Sequence, residues 1–201
     1  MQKDTEEKIL DAAKEIFSQK GFDGARMQEI ADKADINKAM LHYYFRSKQQ
    51  LFERIVESHI QLITPKLVEA ISDSGTVIEN LERLVDIYID TIIENPSMPM
   101  FLLNELSQRR VDAFKQMKKV LEREKAIAKL FQKMKEEQKR GVLKEIPPHH
   151  LLLSVMSLIV FPFIAWPVFQ HLIEIPEEQY NSMMLERKPI VKDFIRSAIT
   201  K

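Results

Sequence analysis

The sequence predicts an all-α protein, with an N-terminal three-helix segment that carries a helix-turn-helix and a larger helical region behind it. Three observations carry that prediction. Apolar residues recur at the three-and-four spacing of amphipathic helices over most of the 201 residues. Leu, Ile, Met, Glu and Lys dominate, and these side chains lose little rotamer freedom in a helix. Glycine occurs only 4 times and Val or Thr runs are few, while the breaks in the pattern fall at Gly21, Gly75, Asn95-Pro96, Gly141 and Pro147-Pro148.

The first helix is expected over residues 5–19, where Ile9, Leu10, Ala13, Ile16 and Phe17 share a face. Asp4 or Thr5 is its expected N-cap and Gly21 its left-handed C-cap. A short second helix fits residues 27–33, with Met27, Ile30, Ala31 and Ala34 inward. Asp35 tolerates positive φ and can make the tight turn that follows, and Asn37 is a good N-cap for a third helix over residues 38–45. Ser47-Lys48-Gln49-Gln50 reads as a capping box opening a fourth helix that runs to about residue 58. That helix either continues or bends into another crossing Pro65 and ending near Ser72, before a break at Asp73-Ser74-Gly75.

An amphipathic helix follows over residues 77–94 and ends at Asn95-Pro96. Residues 98–140 form a longer helical region in one piece or two, with a charged, solvated face in its second half, up to the Pro147-Pro148 stop. The last helix is expected over residues 189–200, with Pro189 at its first position. Residues 151–169 lack any charge, which is close to transmembrane length. Pro162, Pro167, Ser154, Ser157 and the absence of a flanking Lys/Arg cluster argue instead for a helix buried by its own domain and a partner subunit.

Net charge is zero, so the whole chain is no basic nucleic-acid binder. Between residues 26 and 48, however, Arg26, Lys33, Lys38, Arg46 and Lys48 stand against Glu29, Asp32 and Asp35, a local excess of about +2. Cysteine is absent, which suits a reducing compartment, and the first seven residues are too polar for a signal peptide, so a cytoplasmic location is expected. There is no glycine-rich phosphate loop, no Gly-x-Ser-x-Gly elbow and no cluster with metal-ligand spacing, so neither an enzyme nor a cofactor or metal site is expected. His149 and His150 are adjacent on a helix, point in different directions and read as part of a helix start.

Two short helices joined by a tight turn and preceded by a scaffold helix make a DNA-binding helix-turn-helix. The stretch from Gly21-Phe22-Asp23-Gly24-Ala25-Arg26 to Ile30-Ala31, then Ile36-Asn37-Lys38-Ala39-Met40-Leu41-His42-Tyr43-Tyr44-Phe45-Arg46-Ser47-Lys48 with Leu51-Phe52 behind it, resembles the tetracycline-repressor-like (TetR) family. The resemblance covers roughly the first quarter of the chain. It implies a DNA-binding domain over residues 1–48, an effector-binding and dimerisation domain over residues 49–201, and an Ω-shaped homodimer.

The resemblance also implies roles. Gln28 falls where a base contact is often placed at the start of the second helix, and Lys38, Ala39 and Met40 fall on the exposed start of the recognition helix. Lys38 could then donate to guanine O6/N7, with Ala39 or Met40 on a thymine methyl. His42 and Tyr43 fall on phosphate-holding positions, and Lys48 would add charge at a helix N-terminus. Tyr44, Leu41, Phe45, Ile30 and Ala31 read as packing. Two departures stand out. Ala25-Arg26-Met27 replaces the usual hydroxyl cap, so that Arg26 supplies the phosphate contact instead, with Met27 counted among the DNA-binding residues, and Asp35 replaces the usual turn glycine.

For the second domain the resemblance implies an effector pocket, for which His59, Tyr88, Asn104, Glu105, Ser157 and Trp166 are candidate contacts, although each taken alone reads more readily as a satisfied buried group or a surface group than as a ligand contact. The expected partners are an operator in double-stranded DNA, a small apolar or amphipathic effector, and a second copy packed through about residues 151–170 and 189–200, with no membrane. Three alternatives stay open: the same fold without a small-molecule effector, controlled by a protein partner or acting on the nucleoid; a membrane protein anchored at residues 151–169; and a helical enzyme or carrier with an incidental helix-turn-helix.

Overall fold

The computed structural model describes residues 2–71, 74–107 and 112–201, with side chains at all of these except 2–4, 104–107, 112, 113, 116 and 177. The fold is all-α. Its helices are α1 (Gln2–Gly24), α2 (Met27–Lys33), α3 (Lys38–Tyr44), α4 (Lys48–Ala70), α5 (Val77–Glu94), α6 (Met98–Ser107), α7 (Asp112–Arg123), α8 (Ala126–Lys139), α9 (Pro148–Ile173) and α10 (Tyr180–Ile199), with a 3₁₀ turn at Glu177–Gln179. The chain forms two compact units: Met1–Gln61 with Met100–Ala113, and Leu62–Pro99 with Phe114–Lys201.

In the first unit, α1 starts at Gln2, ahead of the Asp4 or Thr5 cap, and kinks at Gly21, whose φ of 68° and ψ of 177° few other residues adopt. The kink turns Phe22 back onto the core. Phe17, Phe22, Phe52 and Phe101 pack with ring centroids 5.0–6.1 Å apart, several of them edge to face. Ser47 Oγ accepts from the Gln50 N–H at 3.2 Å and so starts α4, which then runs unbroken past Pro65 to Ala70. Ser72 and Asp73, part of the expected break, lie outside the described residues.

In the second unit, α5 opens with a complete capping box, in which Thr76 Oγ1 accepts from the Glu79 N–H and Glu79 Oε2 from the Thr76 N–H. Val77, Leu81, Leu84, Val85, Ile89 and Ile92 form its buried face. Its outer edge meets α10 antiparallel in a ladder of ion pairs: Glu82 with Arg196, Asp86 with Lys192 at 2.5 Å, and Asp90 with Lys188. Both sets step by four residues, one helical turn, so every rung falls on the shared edge. The buried Glu137 of α8 accepts the Val77 N–H at 3.0 Å, satisfying a donor at the start of α5. Lys144 donates to the Ser197 and Ala198 carbonyls at the end of α10.

Other element boundaries also differ from the sequence-based expectation. Within the helical region after residue 98, α7 and α8 part where Lys125 takes a left-handed φ of 52°. Pro147-Pro148 is a start as well as a stop, because Pro148 occupies the first turn of α9, where a missing N–H costs nothing. The last helix begins at Tyr180 with Pro189 inside it. Pro189 lies on the exposed face, so the carbonyl it leaves unpaired can meet water.

Helix α9 is long and apolar enough to cross a membrane, yet only 28% of its most apolar stretch is buried. Leu151, Val155, Ile159 and Phe163 pack inward, while Leu153 (64% exposed), Phe161 (56%), Val168 (58%) and Leu172 (69%) do not.

Candidate nucleic-acid interface

Helix α2 is fixed to α1 at both ends, by Lys33 with Glu15 and by Lys20 with Glu29 at 2.8 Å. Hydrogen bonding to Lys20 is the largest of the effects that hold the Glu29 carboxyl below its usual range. Ile30 and Ala31 are fully buried beneath this pair of clamps. The turn closes with the Ala34 N–H on the Ile30 carbonyl at 2.9 Å and the Ile36 N–H on the Ala31 carbonyl at 3.0 Å. Asp35 takes a φ of 54° there, so a turn usually made by glycine is made by a residue that tolerates the left-handed region.

Asn37 Oδ1 then accepts from the Met40 N–H at 2.7 Å and starts α3. Within α3 only Leu41 is buried, and Phe45 closes the core behind it. Lys38, Ala39, Met40, His42 and Tyr43 are all exposed, Tyr43 at 77%. Tyr44 is half-buried and meets the Tyr43 ring edge to face at 5.5 Å, so the two tyrosines divide between packing and solvent.

Helix α2 starts at an extended Arg26 whose side chain makes no cap bond. Arg26 and Gln28 are exposed, Gln28 donating to Asp32 at 2.7 Å, and Met27 is half-buried. Lys48 is committed elsewhere. Its ammonium donates to the Asp23 and Ala25 carbonyls at 3.2 and 3.0 Å and lies 4.7 Å from the Phe22 ring centroid, tying the start of α4 to the α1–α2 link. Of the five cations between residues 26 and 48, Lys33 and Lys48 are thus engaged within the fold. Arg26, Lys38 and Arg46 are exposed, and among the described residues no carboxylate lies within ion-pair distance of them. Arg46 completes this exposed cationic set; its sequence signal was its place in the local basic excess.

The residues expected around an effector are placed differently from one another. Ser157 and Trp166 line one cavity between α9 and α10. Tyr88 is on α5 and is not part of that lining; burial pushes its phenol well up. His59 lies in the first unit, 2% exposed, against Phe101 at 5.6 Å. The side chains of Asn104 and Glu105 lie outside the described residues. Arg187, Phe161 and Met183 also line the α9–α10 cavity and were missed, because a last helix starting at Pro189 leaves Met183 and Arg187 without a face.

The profile of the family described as "Bacterial regulatory proteins, tetR family" matches residues 9–55, the span that holds the turn, both short helices and the start of α4. Residues 9–55 belong to that family. This TetR-type transcriptional regulator is 28% identical over 201 residues to the probable HTH-type transcriptional regulator YttP of Bacillus subtilis (strain 168), covering 98% of this chain and 95% of that one. It is 27% identical over 158 residues to the HTH-type transcriptional repressor NicS of Pseudomonas putida (strain KT2440), covering 78% and 74% of the two chains. A crystal structure of AibR in complex with isovaleryl coenzyme A and operator DNA shares the fold, with a TM-score of 0.62 at 18% identity over 79% of this chain and 85% of that one.

Proposed function

We propose that this TetR-family regulator is a repressor that binds a pseudo-palindromic operator as a homodimer, occupies the promoter, and is released by a small apolar or amphipathic effector. Residues 1–48 are the reading domain and residues 49–201 the effector-binding and dimerisation domain. It acts by binding rather than by catalysis, in the cytoplasm. The observation that carries this reading is the exposed face of α3, on which Lys38, Ala39, Met40, His42 and Tyr43 are held clear of the core by an Asn37 cap and a buried Leu41.

In the major groove Lys38 reaches guanine O6/N7, Ala39 or Met40 meets a thymine methyl, and Gln28 adds a contact from the start of α2. His42, Tyr43 and Arg26 take phosphates, with Met27 packed beside them. Lys48 supports them indirectly by holding the α1–α2 link, whose carbonyls already take two of its three donors. Two copies related by a two-fold axis present two α3 helices to half-sites about one helical turn apart. The uncovered apolar side of α9 supports dimerisation through about residues 151–170 and 189–200. AibR, a structural relative, was crystallised with both an acyl-coenzyme A and operator DNA, which supports an effector-responsive mode here.

The test is binding of the purified chain to DNA upstream of its own gene at stated salt. Saturable binding that survives excess non-specific DNA is expected, with Lys38→Ala losing about 1–3 kcal/mol at the guanine position it reads. Tyr43→Phe, lacking the hydroxyl, should weaken all sequences alike. Wild type and variants that bind equally weakly and let go together in modest salt would refute sequence reading by α3.

A further inference from the structure

We infer that the cavity between α9 and α10 is a site for an amphipathic carboxylate, its head held by Arg187 and its acyl chain laid along Phe161, Trp166 and Phe169. This rests on the effector-responsive reading above and names the effector's chemical class and its place.

Arg187 is set apart from its neighbours on α10. Lys188, Lys192 and Arg196 each face a carboxylate of α5. Arg187 points the other way, into the α9–α10 cavity, where the Leu158 carbonyl accepts from its Nη2 at 3.1 Å. Among the described residues no carboxylate pairs with it. A guanidinium carries five N–H donors in a planar fork, and a half-buried one held by a single carbonyl is short of acceptors. Burial without a compensating anion lowers its pKa. A carboxylate would take two of the free donors in parallel, the geometry in which an arginine binds most strongly.

The rest of the cavity is apolar. Its volume is about 370 Å³, near the lower end of the ~300–1,000 Å³ of small-molecule sites, which suits one medium-length acyl chain better than a bulky polycycle. Phe161 and Phe169 meet edge to face at 6.3 Å, and Trp166 is stacked at a tilt on Tyr180 at 4.6 Å. Met183 and Met184 form the α10 side, two flexible thioethers able to repack around a chain. Besides the Trp166 indole N–H, the wall holds the Ser157 hydroxyl, whose proton is already given to the Leu153 carbonyl at 2.8 Å, so Ser157 has lone pairs to offer and no proton for an anion. Arg187 is the charged donor in the lining and so the head-group anchor. A neutral alcohol would leave the guanidinium unpaired, and an ammonium would be repelled by it.

Trp166 is the only tryptophan in the chain, so its fluorescence reads this cavity alone. We would titrate the full chain with decanoate, decanol and decyltrimethylammonium below their micellar concentrations. Decanoate should change Trp166 emission saturably at one molecule per chain, bind at least tenfold tighter than decanol, and leave the ammonium with no saturable effect. Arg187→Gln should weaken decanoate to the level of decanol while decanol itself is unchanged, a difference that misfolding would not produce, and Arg187→Lys should recover part of the loss. Equal affinity for decanoate and decanol, or indifference of decanoate to Arg187→Gln, overturns the site. So does Trp166 emission that follows protein concentration and ignores decanoate, which would mean that a second copy fills the cavity. Operator binding in the same samples separates the two levels. Decanoate binding without operator release keeps the site and refutes its role as an effector site; intact operator binding with no decanoate binding refutes the site and leaves the DNA-reading proposal standing.

Discussion

His59 lies 2% exposed beside the Phe101 ring, and among the described residues neither of its ring nitrogens has a hydrogen-bond partner. Desolvation, with a smaller contribution from Lys14, lowers its pKa from 6.5 to about 4. The native state therefore holds the imidazole neutral, while the unfolded chain protonates it from 6.5 downward. Between those values the unfolded state binds more protons, so stability is full above pH 6.5, falls as the pH drops, and levels off below about 4. At ~1.4 kcal/mol per pKa unit the loss amounts to about 3 kcal/mol. His59→Leu removes both unpartnered nitrogens and the titration. Urea unfolding should show it more stable than wild type by about 1–3 kcal/mol at neutral pH, with a flatter stability profile between pH 6.5 and 4. Equal acid sensitivity in the variant would place the proton uptake elsewhere. The sequence could show that a histidine interrupts an apolar helix face. It could not show whether that histidine faces a ligand or an aromatic core, because Phe101 reaches it from far along the chain. Lys48 is similar: its place at a helix start was legible, but the two carbonyls that occupy it come from a turn whose shape depends on Gly21.

At the scale of elements, periodicity and caps were enough for α2 and α5, which begin and end as the sequence indicates, and for the Asp35 turn and Asn37 cap. Those features are local: the signal and the structure lie within one turn of each other. The α10 boundary was not local. Tyr180 to Lys188 are helical because Lys188 and Arg187 find partners on α5 and α9, and those contacts outweigh the interruption at Pro189. The ladder supplies register more than stability, since exposed ion pairs contribute ~0–1 kcal/mol each. Lys192→Glu should cost about 1 kcal/mol by replacing attraction to Asp86 with repulsion. Adding Asp86→Lys restores a pair of reversed polarity and should recover most of that loss in thermal or urea unfolding. High salt should shrink both differences. A double variant no better than Lys192→Glu alone would show that the rung is not a specific contact. Glu137→Ala is the buried counterpart. It strands the Val77 N–H and should cost about 1–3 kcal/mol, with little response to salt.

For the molecule as a whole, the question is what covers the apolar side of α9 and α10. Ile190 is 60% and Phe194 61% exposed on α10, alongside Leu153, Val168 and Leu172 on α9. The sequence showed this as an uncharged run and left a membrane, a core and a partner subunit as readings. The structure narrows the reading, since the inner residues of α9 pack on α5 and α8 and leave one side bare. A one-sided apolar face with α10 beside it suits an isologous contact, in which each residue is used twice. Substituting Phe194 by Glu removes one large apolar side chain per copy and places two carboxylates in the contact. At ~2 kcal/mol per side chain, counted twice, the dimer should weaken by about 4 kcal/mol, close to a thousandfold. Sedimentation velocity should show wild type as a dimer at micromolar concentration and Phe194→Glu as a monomer with unchanged helix content. Operator binding by the variant should fall with it, because a single α3 keeps only one half-site's contacts. If Phe194→Glu stays dimeric, the second copy packs elsewhere. If wild type is monomeric in buffer and partitions into lipid vesicles, the bare side of α9 faces a membrane.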